Sequence, residues 1–528
     1  MGINATRFYT TLYKSDKPLS IGRVQTPTLA MIVNRDREIA NFKKEKYFII
    51  ELNCGAFSAF TDRIISLDEA KAILKSCMLG KAKVIDITKE EKKVNPPKLY
   101  DLTTLQREAN KIFGFTAQQT LDSVQRLYDS KLSTYPRTDS RYLTEDMENT
   151  AREIIGILTD ITDFAKGTTL TRANANIKPV MNNSKVSDHH AIIPTANIRT
   201  LDFSTLTDTD RKILYLISER LLTAVAERYE YENSTITFNC NDVIFKAKGK
   251  TVTNKGYRQI DDNFFHFIKS KPEETEKETS LPNIYIDSQY NATAKIVENY
   301  TKPSKPYTED TLLSAMERAG NSDYDTDEVE RKGLGTPATR AGIIETIISR
   351  GYAERKNKQL TATDKGKKLI ECIPEKLKSA KLTAEWENRL VLISKGQADS
   401  KLFIADIKDF VSELVSDTTI TADINIFSER EIIGKCPRCN SDIYEGQQNF
   451  YCSNDECTFK LWKKDRFFKT KKKEITKAVA KKLLADGKVH FKDLYSEKTG
   501  KAYEADVILD DTNTYVNFRL EFNKKKGD

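Results

Sequence analysis

A phenol beside a guanidinium, and four thiols far downstream, are the groups whose types and spacing could do chemistry. Ser133-Thr-Tyr-Pro-Arg-Thr-Asp-Ser140 sets Tyr135 directly before a proline and two residues from Arg137. Pro136 disfavours the helical conformation at Tyr135, so this residue should be extended, end the preceding helix and present its hydroxyl outward. Residues two apart on an extended backbone share a face, which would set Arg137 beside the phenol. A phenol gives up its proton only near pH ~10, so it needs positive help to act as a nucleophile. Arginine supplies that charge and can grip a phosphate with two hydrogen bonds. Tyr135 is therefore a candidate nucleophile, although a core or surface role is the ordinary one for most of the 22 tyrosines.

Cys436-Pro-Arg-Cys439 and Cys452-Ser-Asn-Asp-Glu-Cys457 are two thiol pairs separated by twelve residues. Four thiolates can close a tetrahedral shell around one Zn²⁺, and a closed shell is structural rather than catalytic. A pair of disulfides or chance spacing are the alternatives. Trp462, Phe467, Phe468 and the lysines at 463–464 and 471–473 follow, a composition suited to stacking on nucleic acid or to an ordinary solvated face.

Two helix starts share one design. Thr26-Pro27 after Gly22 and Arg23, and Thr336-Pro337 after Gly333 and Gly335, each read as an N-cap followed by proline at the first helical position. Free N–H groups at such a start can cradle a phosphate, with Arg23 and Arg340 adding charge. Two ordinary capped helices are the plainer reading of each alone. His189 and His190 are two of only four histidines; in an extended segment one could face a phosphate while the other packs. Asp323-Tyr-Asp-Thr-Asp327 lacks the glycine and distal glutamate of a calcium loop and reads as a solvated acidic loop. No phosphate-binding G-x-x-x-x-G-K-[ST] motif occurs, which speaks against ATP hydrolysis of that type.

These residues must be positioned by a nested order of elements. The first 45 residues read as helical. Strands are expected at 47–52 and 82–87, and mostly helix from 101 to about 198. Thr116-Ala-Gln-Gln119 resembles a capping box that opens a helix with Leu121, Val124 and Tyr128 on one face. Strands return at 235–240 and 243–247. Residues 269–282 read as a charged linker, and helices resume from 309 to about 414. Residues 503–518 read as a hairpin in a small cysteine-free module.

At 528 residues, with 39% hydrophobic and 31% charged, the chain is long enough for roughly three to five domains. It shows no membrane-length apolar run and no signal-peptide pattern. The other four cysteines stand singly, which favours a reducing cytosol. A net charge of +8 permits nucleic-acid binding without requiring it.

Together these stretches resemble the type IA DNA topoisomerases, most closely the bacterial topoisomerase III branch. The matching blocks are Asn4-Ala-Thr-Arg7, 20–29, Pro97-Lys-Leu-Tyr-Asp-Leu102, 134–140, 189–195, 333–340 and Leu382-Thr-Ala-Glu-Trp386, in the family's order. The resemblance implies a multidomain α+β torus. Residues 1–45 and 300–425 would form a DNA-binding base, and 46–95 with 231–299 a strand-rich arch. Residues 96–230 would form a helical domain bearing the active tyrosine. A zinc ribbon at 430–470 and a small module at 474–528 would follow. Tyr135 would cleave single-stranded DNA through a 5′-phosphotyrosine, without ATP, and a second strand would pass before resealing, so as to relax or decatenate DNA. Arg137 and His189 would assist at the phosphate; Arg23, Gln25 and Arg340 would hold the strand. Expected ligands are Zn²⁺ at Cys436, Cys439, Cys452 and Cys457, and family-typical Mg²⁺. Expected partners are single-stranded and negatively supercoiled DNA, and the expected form is a bacterial cytoplasmic monomer associated with nucleoid or plasmid. The family's Toprim domain, of ordinary size at ~150 residues, carries the Mg²⁺ ligands and precedes the first matching block. The expectation is accordingly a chain lacking Toprim, served by a separate Toprim-bearing polypeptide. The alternative is a catalytically silent fragment that binds single-stranded DNA.

Overall fold

The computed structural model describes all residues except 79, 163–164, 167, 270–278, 280, 320–332, 417–426, 428–430, 455 and 523–528. The acidic loop Asp323–Asp327 and most of the linker at 269–282 therefore lie outside the described residues. The chain divides into two compact units: residues 1–12 with 18–423, and residues 13–17 with 424–528.

In the first unit, strands from two distant segments build one antiparallel sheet. They are β1 (Lys46–Asn53), β2 (Ser58–Phe60), β3 (Lys81–Val94), β4 (Tyr229–Cys240), β5 (Val243–Asn254), β6 (Gln289–Asn291) and β7 (Thr293–Tyr300). Their order is β6-β3-β4-β5-β2-β1-β7, so sequence neighbours are often not sheet neighbours. Alternation decides which face is buried: Phe48, Ile50 and Leu52 on β1, Ile236 and Phe238 on β4, and Phe245 and Ala247 on β5 share one core. The long β3–β4 ladder runs from Lys83↔Asn239 to Val94↔Tyr229, which explains how the residues between these strands leave and rejoin the sheet at one end of that ladder.

Those intervening residues form a helical body. Helices Leu102–Phe113, Ala117–Asp129, Glu148–Ile161 and Asp208–Ala224 bury Leu105, Val124, Ile155, Leu158, Leu214 and Leu221 in a common core. Their starts are well specified: Asp101 and Thr116 each form a reciprocal capping box, the second with Gln119. Two sequence expectations need correction here. The described residues of 162–200 are short 3₁₀ turns and bridges rather than helix, because Pro179, Pro194 and a run of Thr and Asn favour local turn bonding over helical ladders. Helix Arg258–Phe267, expected within the arch segment, instead packs Ile260 and Phe264 into the helical core. Its apolar face has a partner there in Asp208–Ala224.

Helices Gly2–Leu12, Gln25–Ala40, Glu309–Arg318, Pro337–Ser349 and Ala380–Ser394 complete the functional neighbourhood, with a small sheet of Tyr307–Thr308, Gln359–Ala362 and Ala353–Lys356.

The second unit was expected as two modules and is one body. The four-stranded sheet Ile432–Lys435, Asp442–Glu445, Asn449–Cys452, Lys460–Trp462 and the three-stranded sheet Lys488–Tyr495, Ala502–Asp511, Val516–Glu521 share a core. Ile443, Phe450, Phe459 and Phe468 pack with Leu483, Leu494 and Val507. An ion pair between Arg438 and Asp511 at 2.6 Å ties the cysteine loop to the last hairpin. Small domains bury a modest share of their surface when alone, and the shared core enlarges what each half buries.

Candidate active site and four-cysteine centre

Tyr135 lies just beyond helix Ala117–Asp129, in a segment without regular structure that bends at Pro136 and Arg137. It is half-buried rather than packed into a core. What fixes it is a short run of backbone pairing with the 189–195 segment. Thr134 N donates to Ile193 O at 3.0 Å, and Thr195 N donates to Leu132 O at 3.1 Å. Thr138 Oγ1 donates to His189 O at 2.9 Å, and Ser140 Oγ to Lys185 O at 2.8 Å. This pairing brings His189, 54 positions downstream by number (189 minus 135), to the phenol: the ring centroids are 4.2 Å apart and tilted by 37°. His189 is exposed. His190 turns away, with Nδ1 2.8 Å from Ala191 O.

Tyr128 also meets the Tyr135 ring, edge-on at 5.4 Å. It had been expected on the core face with Leu121 and Val124. Those two are buried, but Tyr128 is 39% exposed, because it sits in the last turn, past the end of the core. Arg137 is exposed and makes no ion pair among the described residues.

The remaining matched blocks are bonded into the same neighbourhood. Leu102 N donates to Thr138 O at 3.1 Å, and Arg141 pairs with Asp101 at 2.6 Å and with Glu317 at 3.3 Å. Thr6 Oγ1 accepts from Ile21 N at 3.0 Å. Thr383 Oγ1 donates to Arg23 O at 2.5 Å, while the Arg23 guanidinium meets Glu387 at 2.8 Å. The two glycine-bearing helix starts are neighbours: a Cβ on Gly335 would come within 3.4 Å of Val24 Cγ1, and Gly335 itself needs φ +69°.

The two starts are not equivalent. Thr336 and Thr339 form a reciprocal cap with Pro337 at the first position, as expected. Thr26 is not an N-cap. Helix Gln25–Ala40 begins two residues earlier than that cap implies, and the buried Thr26 hydroxyl accepts instead from Gly22 N at 3.1 Å. Gln25 folds back on Ser20, its Nε2 donating to Ser20 O at 3.2 Å. Arg340 is only 4% exposed; Nε donates to Leu334 O at 3.1 Å and Nη1 to Thr103 Oγ1 at 2.9 Å. Burial lowers its pKa from the ordinary arginine value. Its guanidinium braces helix Pro337–Ser349 against Leu102–Phe113, a positioning task rather than an open cationic surface.

Behind the site lies a buried charge cluster. Arg220 stacks on the Tyr100 ring at 4.2 Å, bonds Glu108 and donates to Lys98 O at 3.3 Å. Tyr100 O in turn accepts from Ile192 N at 2.8 Å. Burial raises the pKa values of neighbouring Glu219 and Asp261 above the usual carboxylate range.

In the second unit the Sγ atoms of Cys436, Cys439, Cys452 and Cys457 all lie within 4.8 Å of one another. Cys436–Cys457 is 3.7 Å and Cys439–Cys452 is 3.4 Å. A tetrahedron with Zn–S near 2.3 Å has sulfur–sulfur edges of roughly 3.8 Å, so the set fits Zn²⁺. Backbone supports it: Cys436 N donates to Ser441 O at 2.8 Å, and Asn440 N to Cys436 O at 2.9 Å. Among the described residues this is the only group of three or more His, Cys, Asp or Glu side chains arranged to hold a metal ion. Among the described residues no such group lies beside Tyr135. No described helix is long and apolar enough to cross a membrane.

Comparison with known proteins agrees with this geometry. A family model described as DNA topoisomerase matches residues 1–405. Proteins named DNA topoisomerase 3 from Bacillus anthracis and Bacillus subtilis are each 36% identical over 87% of the chain, and the one from Bacillus licheniformis is 37% identical. The chain spans 64% of the length of those relatives. Full-length topoisomerase I from Thermotoga maritima shares the fold at a TM-score of 0.60 and 23% identity, covering 87% of this chain and 75% of that one.

Proposed function

The chain belongs to the type IA DNA topoisomerase family, and from that premise we propose that Tyr135 is the nucleophile that opens a single DNA strand. Its phenolic oxygen bonds to a backbone phosphorus and the bond from that phosphorus to the 3′-oxygen breaks. The proton lost by the phenol ends on the departing 3′-hydroxyl, and the reverse transfer reseals the strand. The phosphodiester is held as a tyrosyl ester, so no ATP is consumed. The observation that carries this reading is the half-buried Tyr135 ring, outside any helix, with His189 against it at 4.2 Å.

His189 is suited to hold or move a proton at the phosphate, and Arg137, exposed and unpaired, to neutralise its developing charge. Arg23 and Gln25 border the strand's approach, with Arg340 bracing that approach from inside. The four-cysteine body adds a strand-binding surface. Trp462 is 49% exposed, and a hollow of about 800 Å³ is lined by Lys464, Lys469, Lys472, Lys473 and Phe491. Relaxation or decatenation of bacterial DNA in the cytoplasm, on nucleoid or plasmid, is the task this chemistry serves.

The test is a denaturing gel of the purified chain with labelled single-stranded DNA and Mg²⁺, with and without a Toprim domain supplied in trans. A covalent adduct in either arm that disappears in Tyr135→Phe, while strand binding persists, supports the proposal. An adduct that survives Tyr135→Phe assigns the nucleophile elsewhere. No adduct in either arm favours a silent strand-binding protein.

A further inference from the structure

The segment 134–142 meets the 191–193 stretch at both of its ends. Thr134 bonds to Ile193, and Tyr142 O accepts from Ala191 N at 2.9 Å. These contacts are two residues apart, or roughly 7 Å along an extended chain. One strand lying across Tyr135 therefore has Tyr142 within reach.

Two lysines converge on Tyr142. Lys98 Nζ lies 5.0 Å and Lys185 Nζ 5.3 Å from its ring centroid. Hydrogen bonding from Lys98 first, and the charge of both ammoniums, hold the Tyr142 phenol below its ordinary pKa. Neither lysine pairs with a carboxylate among the described residues. Lysines on nearby elements do: Lys212 with Asp208 at 2.6 Å, Lys93 with Glu230 at 3.5 Å and Lys83 with Asp287 at 2.7 Å. Two uncompensated ammoniums held at one phenol repel each other, and an anion between them removes that penalty.

The placement is also built rather than loose. Lys98 is exposed and follows Pro96-Pro97, and its carbonyl accepts from Arg220 at 3.3 Å. The Lys185 carbonyl accepts from Ser140 Oγ at 2.8 Å. Each lysine thus leaves a backbone that is fixed to the tyrosine-bearing segment or to the charge cluster behind it.

We propose that Lys98, Lys185 and the Tyr142 hydroxyl form a second phosphate-binding subsite, which holds the DNA strand beside the phosphate that Tyr135 attacks. This rests on the assignment of Tyr135 to DNA chemistry. The subsite takes a backbone phosphodiester of a single strand, through two ammoniums and one phenolic donor, and reads no base. It acts by positioning: the strand is gripped next to the reacting phosphate.

The test is the salt dependence of oligothymidylate binding by the full-length chain, followed by fluorescence anisotropy. Each phosphate contact on a single strand contributes about 0.7 to the slope of log K against log salt, so Lys98→Gln/Lys185→Gln, which empties one phosphate subsite, should flatten that slope by about 0.7. Lys71→Gln/Lys75→Gln, on a helix facing the arch sheet, removes the same charge and should leave the slope within error of the parent. Tyr142→Phe should weaken binding without changing the slope. Equal slopes for the two double variants overturn the subsite while leaving the Tyr135 reading intact. A parent chain that does not bind oligothymidylate at all overturns both. Circular dichroism of each variant verifies that the fold is retained.

Discussion

The surroundings of Tyr135 and the four-cysteine body are organised over different distances along the chain. Around Tyr135 the decisive bonds join remote residues: Thr138 to His189, Arg340 to Thr103, and Thr383 to Arg23. In the cysteine body the four ligands lie within Cys436–Cys457, and the sheet that carries them is a chain of antiparallel neighbours. The first arrangement depends on the whole unit folding correctly before any chemistry is possible. The second can be assembled locally, by a metal that binds only the folded form.

Removing the metal should produce the largest effect. Structural zinc contributes an apparent ~10–16 kcal/mol of folding free energy in small finger peptides. With a strong chelator, hydrogen exchange should lose protection across Asn449–Cys452 and Lys460–Trp462. Because Phe450, Phe468, Leu494 and Val507 share one core, protection in Lys488–Tyr495 should fall as well. Loss confined to the ribbon strands would mean that the two sheets do not form one cooperative body. The Thr134–Ile193 pairing should keep its protection, since it is held by backbone bonds in which none of the four cysteines takes part.

The matching break near Tyr135 is Arg220→Met. It leaves Glu108 without its partner and Glu219 and Asp261 without the nearest cation, all in or near a buried site. Removing one member of a fully buried pair costs about 3–5 kcal/mol, and with the Glu108 side chain 30% exposed the loss here should be smaller, about 1–2 kcal/mol. Urea unfolding should report a loss of that size, partly recovered at acidic pH, where the remaining carboxyls are neutral. An unchanged midpoint would show that the cluster is not a structural brace.

This difference in range also explains what the sequence disclosed. The cysteine centre was legible because its spacing is itself the geometry. So were the Thr116–Gln119 and Thr336–Pro337 caps and the strands at 47–52 and 82–87, all set by residues within a few positions. Tyr135 was readable as a candidate from its proline and arginine neighbours, and the ordered family blocks sharpened it. What remained hidden was non-local. Nothing near Tyr128 announces that it meets Tyr135 rather than the core. Arg340 has the appearance of a surface cation and is a buried brace, because its partner Thr103 is 237 residues away. Thr26 has the residue type of an N-cap but serves Gly22 instead. The merger of the ribbon with the last hairpin follows from shared apolar area, which no local motif records.

The smallest expected effect is a pH trend in the cysteine body. His490 lies between Asp506 at 2.6 Å and Glu504 at 2.8 Å, which raises its pKa above the ordinary 6.5. A raised histidine pKa gives stabilisation that is complete below the unfolded value and lost as pH climbs through the folded one. The melting temperature of this unit should thus decline slightly as pH rises above 6.5, and His490→Ala should flatten the decline. The pair is solvent-screened, so the trend should be shallow and should weaken in salt. An identical slope in the variant would assign the trend to other groups.

The central claim is that one particular hydroxyl takes the phosphate, although Tyr128, Tyr135 and Tyr142 all lie along the same neighbourhood. Trimming the covalent adduct with nuclease and sequencing its peptides by mass spectrometry reads the modified residue directly. A nucleotide carried on Tyr135 through its 5′-phosphate is the expected result; a nucleotide on Tyr128, Tyr142 or any other residue would contradict it.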